Sequence, residues 1–135
     1  MEKIKLLIFV DDDYATNFYH KVIVRDSGLV EEYMFFSEPE KALIYFEELN
    51  NQENPTIPDA IFLDINMPKI DGWEFLERYA KIEVVKSPII IMLSTSINPA
   101  DEHKAISNPL VKGFKNKPLS EVHLLELQEE LQATV

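Results

Sequence analysis

A doubly wound α/β domain, five parallel strands flanked by five helices, is the fold class the chain predicts, on three observations. Apolar runs of strand length alternate with stretches of helical periodicity from one end to the other. The connections between them are short, so consecutive strands run parallel through right-handed helical crossovers. Polar residues follow directly on four of the apolar runs, after Val10, Leu63, Leu93 and Phe114. That is where an open sheet collects the groups that meet a ligand.

The elements follow in order. Lys3 to Val10 begins as an alternating segment and becomes wholly apolar, as a strand does on entering a sheet covered on both faces. Asp11-Asp12-Asp13 comes next, and Asp13 is placed to cap a helix from Tyr14 to Asp26 with Phe18, Val22 and Ile23 inward. Ser27-Gly28 stops it. A short aromatic strand spans Tyr33 to Phe36. Ser37-Glu38-Pro39-Glu40 reads as a capping box, with Pro in the first turn, for a helix burying Ala42, Leu43, Phe46 and Leu49. Asn50 to Pro58 is a loop. The third strand, Ala60 to Leu63, ends at Asp64, and Met67 to Gly72 turns the chain into a helix with Trp73, Leu76 and Ala80 at helical spacing. Ile89 to Leu93 forms a fourth strand ending in Ser94-Thr95-Ser96, and Asn98-Pro99 caps a short helix that stops near Pro109. Val111 to Phe114 is the fifth strand. Ser120 opens a last helix with Leu124, Leu127 and Leu131 on one stripe.

Five such units take the flavodoxin-like order 2-1-3-4-5, which sets strands one and three side by side. Asp11, Asp12 and Asp64 then leave the sheet at one edge, flanked by Ser94 and Lys117. With 135 residues, 46% of them hydrophobic, the chain has room for one domain over residues 1–135, and no run approaches a membrane span. A net charge of -11 offers nothing to the phosphates of nucleic acid, so direct nucleic-acid binding is not expected. The absence of cysteine excludes disulfides, thiolate metal sites and Cys nucleophiles, and it fits a cytoplasmic location.

Carboxylates held together repel: at a separation of about 4 Å and an effective dielectric near 20, each pair costs about 4 kcal/mol. A cation relieves this. Oxygen donors without Cys or a spaced His set point to Mg²⁺, since no calcium-loop pattern starts at Asp11 or Asp64. A carboxylate beside such an ion can attack phosphorus and form an aspartyl phosphate, with Lys117 and the Ser94 hydroxyl placed to stabilise the phosphoryl oxygens.

These residues resemble the receiver domain of two-component response regulators, and the resemblance covers essentially the whole chain. Asp11-Asp12 resembles the family's metal-binding acids, and Asp64 in Leu63-Asp64-Ile65-Asn66-Met67-Pro68, with Asp71-Gly72 beyond, its phosphoacceptor. The resemblance implies that the Asn66 backbone carbonyl joins Asp11, Asp12 and Asp64 on Mg²⁺. It makes Ser94 the switch hydroxyl, Phe114 the switch aromatic, and Lys117-Pro118 a cis peptide pair. Phosphate would draw Ser94 inward and let Phe114 rotate in; lacking a hydroxyl, Phe114 should enter more readily than a Tyr. Thr95 departs from the small residue usual there, and Asp13 extends the acidic pair to a triplet. Without an output domain, the resemblance implies a stand-alone receiver. A histidine kinase or histidine phosphotransfer protein would load it, and it would signal to a downstream protein through the face of the fourth helix, fifth strand and fifth helix.

Two alternatives compete. A haloacid dehalogenase-type phosphohydrolase also uses an Asp after a strand, but its Asp-x-Asp-x-Thr pattern meets Asn66 and Pro68 here. A receiver-like interaction module that is never phosphorylated would have no use for the complete acid, hydroxyl and lysine set. A dinucleotide fold lacks its Gly-x-Gly-x-x-Gly after strand one. His20, His103 and His123 lie apart on expected helices and read as exposed or packed residues.

Overall fold

The computed structural model describes residues 2–84 and 86–133. Its elements run β1 (Ile4–Val10), α1 (Tyr14–Ser27), β2 (Val30–Phe36), α2 (Pro39–Leu49), β3 (Ala60–Leu63), α3 (Gly72–Tyr79), β4 (Ile89–Ser94), α4 (Pro99–Ser107), β5 (Val111–Asn116) and α5 (Glu121–Ala133). All the strand pairs are parallel, in the order β2-β1-β3-β4-β5. The flavodoxin-like order expected of the alternating pattern is the one adopted.

Register sets the site. Val10 faces both Phe36 and Leu63, and Leu63 faces Met92, so the three central strands end level with one another. The ladder continues one step further through Asp11 N–H to the Phe36 carbonyl and Asp64 N–H to the Val10 carbonyl. Alternate strand residues feed two cores. Leu6, Ile8, Val10, Ile61, Leu63, Ile90 and Met92 pack under α2, α3 and α4, whereas Ile4, Leu7, Phe9, Phe62, Ile91 and Leu93 pack under α1 and α5. The β4–β5 ladder slips between Ile90 and Ile91, whose partners are Val111 and Gly113. The extra residue on β5 turns Phe114 onto the same face as Val111, where an uninterrupted strand would put them on opposite faces.

Local signals explain most element ends. Asp13 caps α1 through Thr16 N–H, and Gly28 ends it at φ 68°, a conformation glycine adopts without a Cβ penalty. Asn98 caps α4 through Ala100 N–H, with Pro99 in the first turn. Four expectations are corrected. Phe18 is 70% exposed; the fully buried residues of α1 are Asn17, His20 and Val24, and the expected Ile23 is half-buried against the same core. The N-cap of α2 is Glu38, without a side-chain capping bond, so Ser37 and Glu40 form no capping box; the Glu38 carboxylate pairs with Lys41 instead. Ala80 is the exposed C-cap of α3 and not part of its packed stripe. β2 starts at Val30, its first half concealed by Glu31 and Glu32 on an edge strand.

Candidate functional site

Asp64 leaves β3 into a bend that is fixed by one glycine. Gly72 N–H donates to the Ile65 carbonyl at 2.7 Å. A Cβ on Gly72 would lie 2.5 Å from the Asp64 carbonyl oxygen and 3.0 Å from Ile65 Cα. Only glycine lets the start of α3 approach the Asp64 backbone this closely. Asp71 then caps α3 through Glu74 N–H at 2.8 Å. The β3–α3 connection is thus held at both ends.

One carboxylate oxygen from each of Asp11, Asp12 and Asp64 can be chosen so that all lie within 4.8 Å of one another. Asp11 and Asp64 are buried, and Asp12 is half-buried. Asp13 stands outside the trio: its side chain accepts from Thr16 N–H and Oγ1, and those bonds hold its carboxyl below the ordinary value. Lys117 Nζ reaches in from the end of β5, 2.5 Å from Asp11 Oδ2 and 3.1 Å from Asp64 Oδ1. Its own backbone N–H donates to the Ser94 carbonyl at 2.8 Å, and the peptide bond to Pro118 is cis.

The charges fit a divalent ion. Three carboxylates against one ammonium leave a formal charge of -2, and the acids supply the hard oxygen donors that Mg²⁺ takes. Burial, and then the neighbouring Asp11, push the Asp64 carboxyl up to about 6 despite the opposing pull of Lys117. Burial would lower the Lys117 ammonium, but the hydrogen bond and charge of Asp11, joined by Asp64, outweigh it and raise it. Both shifts record a site with too much negative charge for its depth.

The remaining predicted residues differ in depth. Ser94 is 1% exposed at the end of β4, and its Oγ accepts from Ser96 N–H at 3.0 Å. Ser96 Oγ in turn donates to Asp101 in the first turn of α4. Phe114 is half-buried against the core under α2, α3 and α4, and Thr95 and Asn66 are exposed. Trp73 packs beside the same core, with Lys104 Nζ 4.5 Å from its ring centroid, a cation–π contact between α3 and α4. Sequence reasoning missed Asn17 and His20. Asn17 Nδ2 donates to the Asp11 carbonyl at 2.8 Å, and His20 Nε2 accepts Leu119 N–H at 3.3 Å. Their only trace in the sequence is a polar residue at each turn of an amphipathic helix, which a search for apolar spacing passes over.

Comparison with known proteins agrees with the fold. The profile of the response regulator receiver domain matches residues 7–129. A two-component response regulator from Cytophaga hutchinsonii superposes with a TM-score of 0.89 at 30% identity, over 98% of this chain and 99% of that one. A response regulator receiver protein from Dyadobacter fermentans gives a TM-score of 0.82 at 27% identity, over 95% and 98%. A probable methanogenesis regulatory protein from Methanothrix harundinacea is 30% identical over 92 residues, 68% of this chain. The chain spans only 59% of that relative's length. By fold, profile and relatives, the chain belongs to the response regulator receiver domains, the phosphoacceptor signalling domains of two-component systems.

Proposed function

We propose that Asp64 is the phosphoacceptor and that a histidine kinase or a histidine phosphotransfer protein is the donor. The observation that carries this reading is the meeting of Asp11, Asp12 and Asp64 within 4.8 Å, with Lys117 bridging Asp11 and Asp64. An Asp64 carboxylate oxygen attacks phosphorus, the P–N bond of the phosphohistidine breaks, and the imidazole leaves with the electron pair and takes a proton from water. Asp11, Asp12, Asp64 and the Asn66 backbone carbonyl would hold Mg²⁺, which would supply positive charge against the transferring group.

Lys117 offers the phosphoryl oxygens its ammonium, and Ser94 offers its hydroxyl proton while its oxygen still accepts from Ser96 N–H. That bond couples Ser94 to α4 through Ser96 and Asp101. Phe114, half-buried on the α4 side of the sheet, is the aromatic that follows Ser94 inward. The same acids and lysine that assist phosphorylation assist hydrolysis of the aspartyl phosphate by water. The signal passes to a downstream protein in the cytoplasm; a net charge of -11 disfavours nucleic acid as the direct target.

The test is incubation with acetyl phosphate and Mg²⁺ followed by intact-mass measurement. Wild type should gain one phosphate, whereas Asp64→Ala, or wild type with chelator, should gain none. An equal adduct on Asp64→Ala would remove Asp64 from the role.

A further inference from the structure

Asn17, His20 and Val24 are the fully buried residues of α1, and two of those three are polar. The first of them grips the Asp11 carbonyl; the second, one turn later, grips Leu119 N–H. Asp11 follows directly on β1, and Leu119 follows the Lys117–Pro118 pair at the end of β5. The charged ends of Asp11 and Lys117 meet at 2.5 Å. The helix therefore holds the backbone on either side of that ion pair, from outside the cleft.

His20 is 1% exposed and lies between the rings of Phe9 and Tyr19, with centroids at 5.8 and 6.2 Å. Leu119 is equally buried, so its N–H depends on a protein acceptor. An apolar side chain at position 20 could fill the space but would leave that N–H unpaired. Among the described residues, nothing hydrogen-bonds to His20 Nδ1 or Asn17 Oδ1. Each polar side chain is thus buried with one atom satisfied and one not, a poor choice for cohesion alone. Burial, aided by Lys117 and His123 and opposed by Asp11, lowers the imidazole to about 4, so it is neutral near pH 7 and its Nε2 lone pair is free to accept.

We propose that His20 is a positioning residue for Lys117: by accepting Leu119 N–H it fixes the chain segment that carries the ammonium between Asp11 and Asp64. Its effect on rate rests on Asp64 being the phosphoacceptor; its effect on Lys117 does not. A ligating or stabilising group displaced by a fraction of an ångström loses much of its advantage in the transition state.

The experiment compares wild type with His20→Leu, which cannot accept, and His20→Gln, whose side-chain carbonyl can take the place of Nε2; His20→Met is the apolar variant if His20→Leu does not fold. Phosphorylation by acetyl phosphate with Mg²⁺ should slow about tenfold in the apolar variant and recover to within about threefold of wild type in His20→Gln. In NMR spectra the Lys117 Cε–Hε signals should move toward those of a solvated lysine in the apolar variant, with faster exchange of the Leu119 amide, and both should return in His20→Gln. Unmoved Lys117 signals in a folded apolar variant would overturn the proposal, as would a His20→Gln variant as slow as the apolar one at equal melting temperature. If wild type takes up no phosphate, the Asp64 reading fails and the Lys117 signals alone decide the role of His20.

Discussion

The two faces of the sheet are built differently. Under α2, α3 and α4 the helices bury Leu43, Phe46, Leu49, Phe75, Leu76, Tyr79 and Ala105, with the Tyr79 hydroxyl near Ser87 as the main polar atom. Under α1 and α5 they bury Asn17, His20 and Gln128 among Val24, Leu124 and Leu127. Each of those three reaches a backbone group on another segment: the Asp11 carbonyl, Leu119 N–H and the Glu2 carbonyl. The first face supplies cohesion, since non-directional apolar contact stabilises without specifying where a loop must lie. The second supplies placement, because a hydrogen bond fixes one atom against another.

The largest break in this contrast lies on the apolar side. Phe46 packs edge-on against Tyr79 and Tyr45 at centroid distances of 5.3 and 5.2 Å. Phe46→Ala should lower the unfolding free energy by about 3–5 kcal/mol while leaving Mg²⁺-dependent phosphorylation of the folded fraction near wild type. Urea denaturation alongside the phosphorylation assay checks both halves.

Acid sharpens the contrast next, because His20 and Asp64, both buried, act in opposite directions. His20 falls from 6.5 to about 4 on folding, so the unfolded chain takes the proton first and stability declines as pH drops through that window. Asp64 rises from 3.8 to about 6, so the folded chain takes the proton first and stability grows as pH drops below about 6. In chelated buffer, acidification from pH 7 to 5 should destabilise Asp64→Asn by about 1–2 kcal/mol and stabilise His20→Gln by a similar amount, with wild type between them. The exposed carboxylates contribute alike to all three proteins, so the differences isolate the two buried groups. Parallel curves for the three would refute the assignment.

The smallest effect tests whether the polar ties are equal. Gln128→Leu breaks only a bond to the carbonyl of exposed Glu2, which water can replace, so it should change stability by less than about 1 kcal/mol and leave phosphorylation unchanged. A loss as large as that of Phe46→Ala would mean that Gln128 holds more than the start of the chain.

The same contrast explains what could be read from the sequence. Strands buried on both faces announce themselves as apolar runs, and the acids, hydroxyl and lysine stand at their ends, so the sheet order and the residues of the centre were legible. The helix over the placement face was not. Apolar spacing in α1 selects Phe18, Val22 and Ile23; Ile23 does pack against the core, but the fully buried positions are Asn17, His20 and Val24, and the helix is turned so that Phe18 faces solvent. Polar residues that are buried because a distant backbone group needs them leave no apolar period to follow. The failed capping box has a related cause: Ser37 follows a strand that ends only at Phe36, so α2 begins at Pro39 with Glu38 as its cap.

Trp73 is the only tryptophan in the chain, and it lies on α3 with the ammonium of Lys104 from α4 over its ring. A cation against an indole face alters the emission of that indole. Any rearrangement that carries α4 away from α3 separates the two and changes the light the protein emits, so the chain contains its own optical label for that movement.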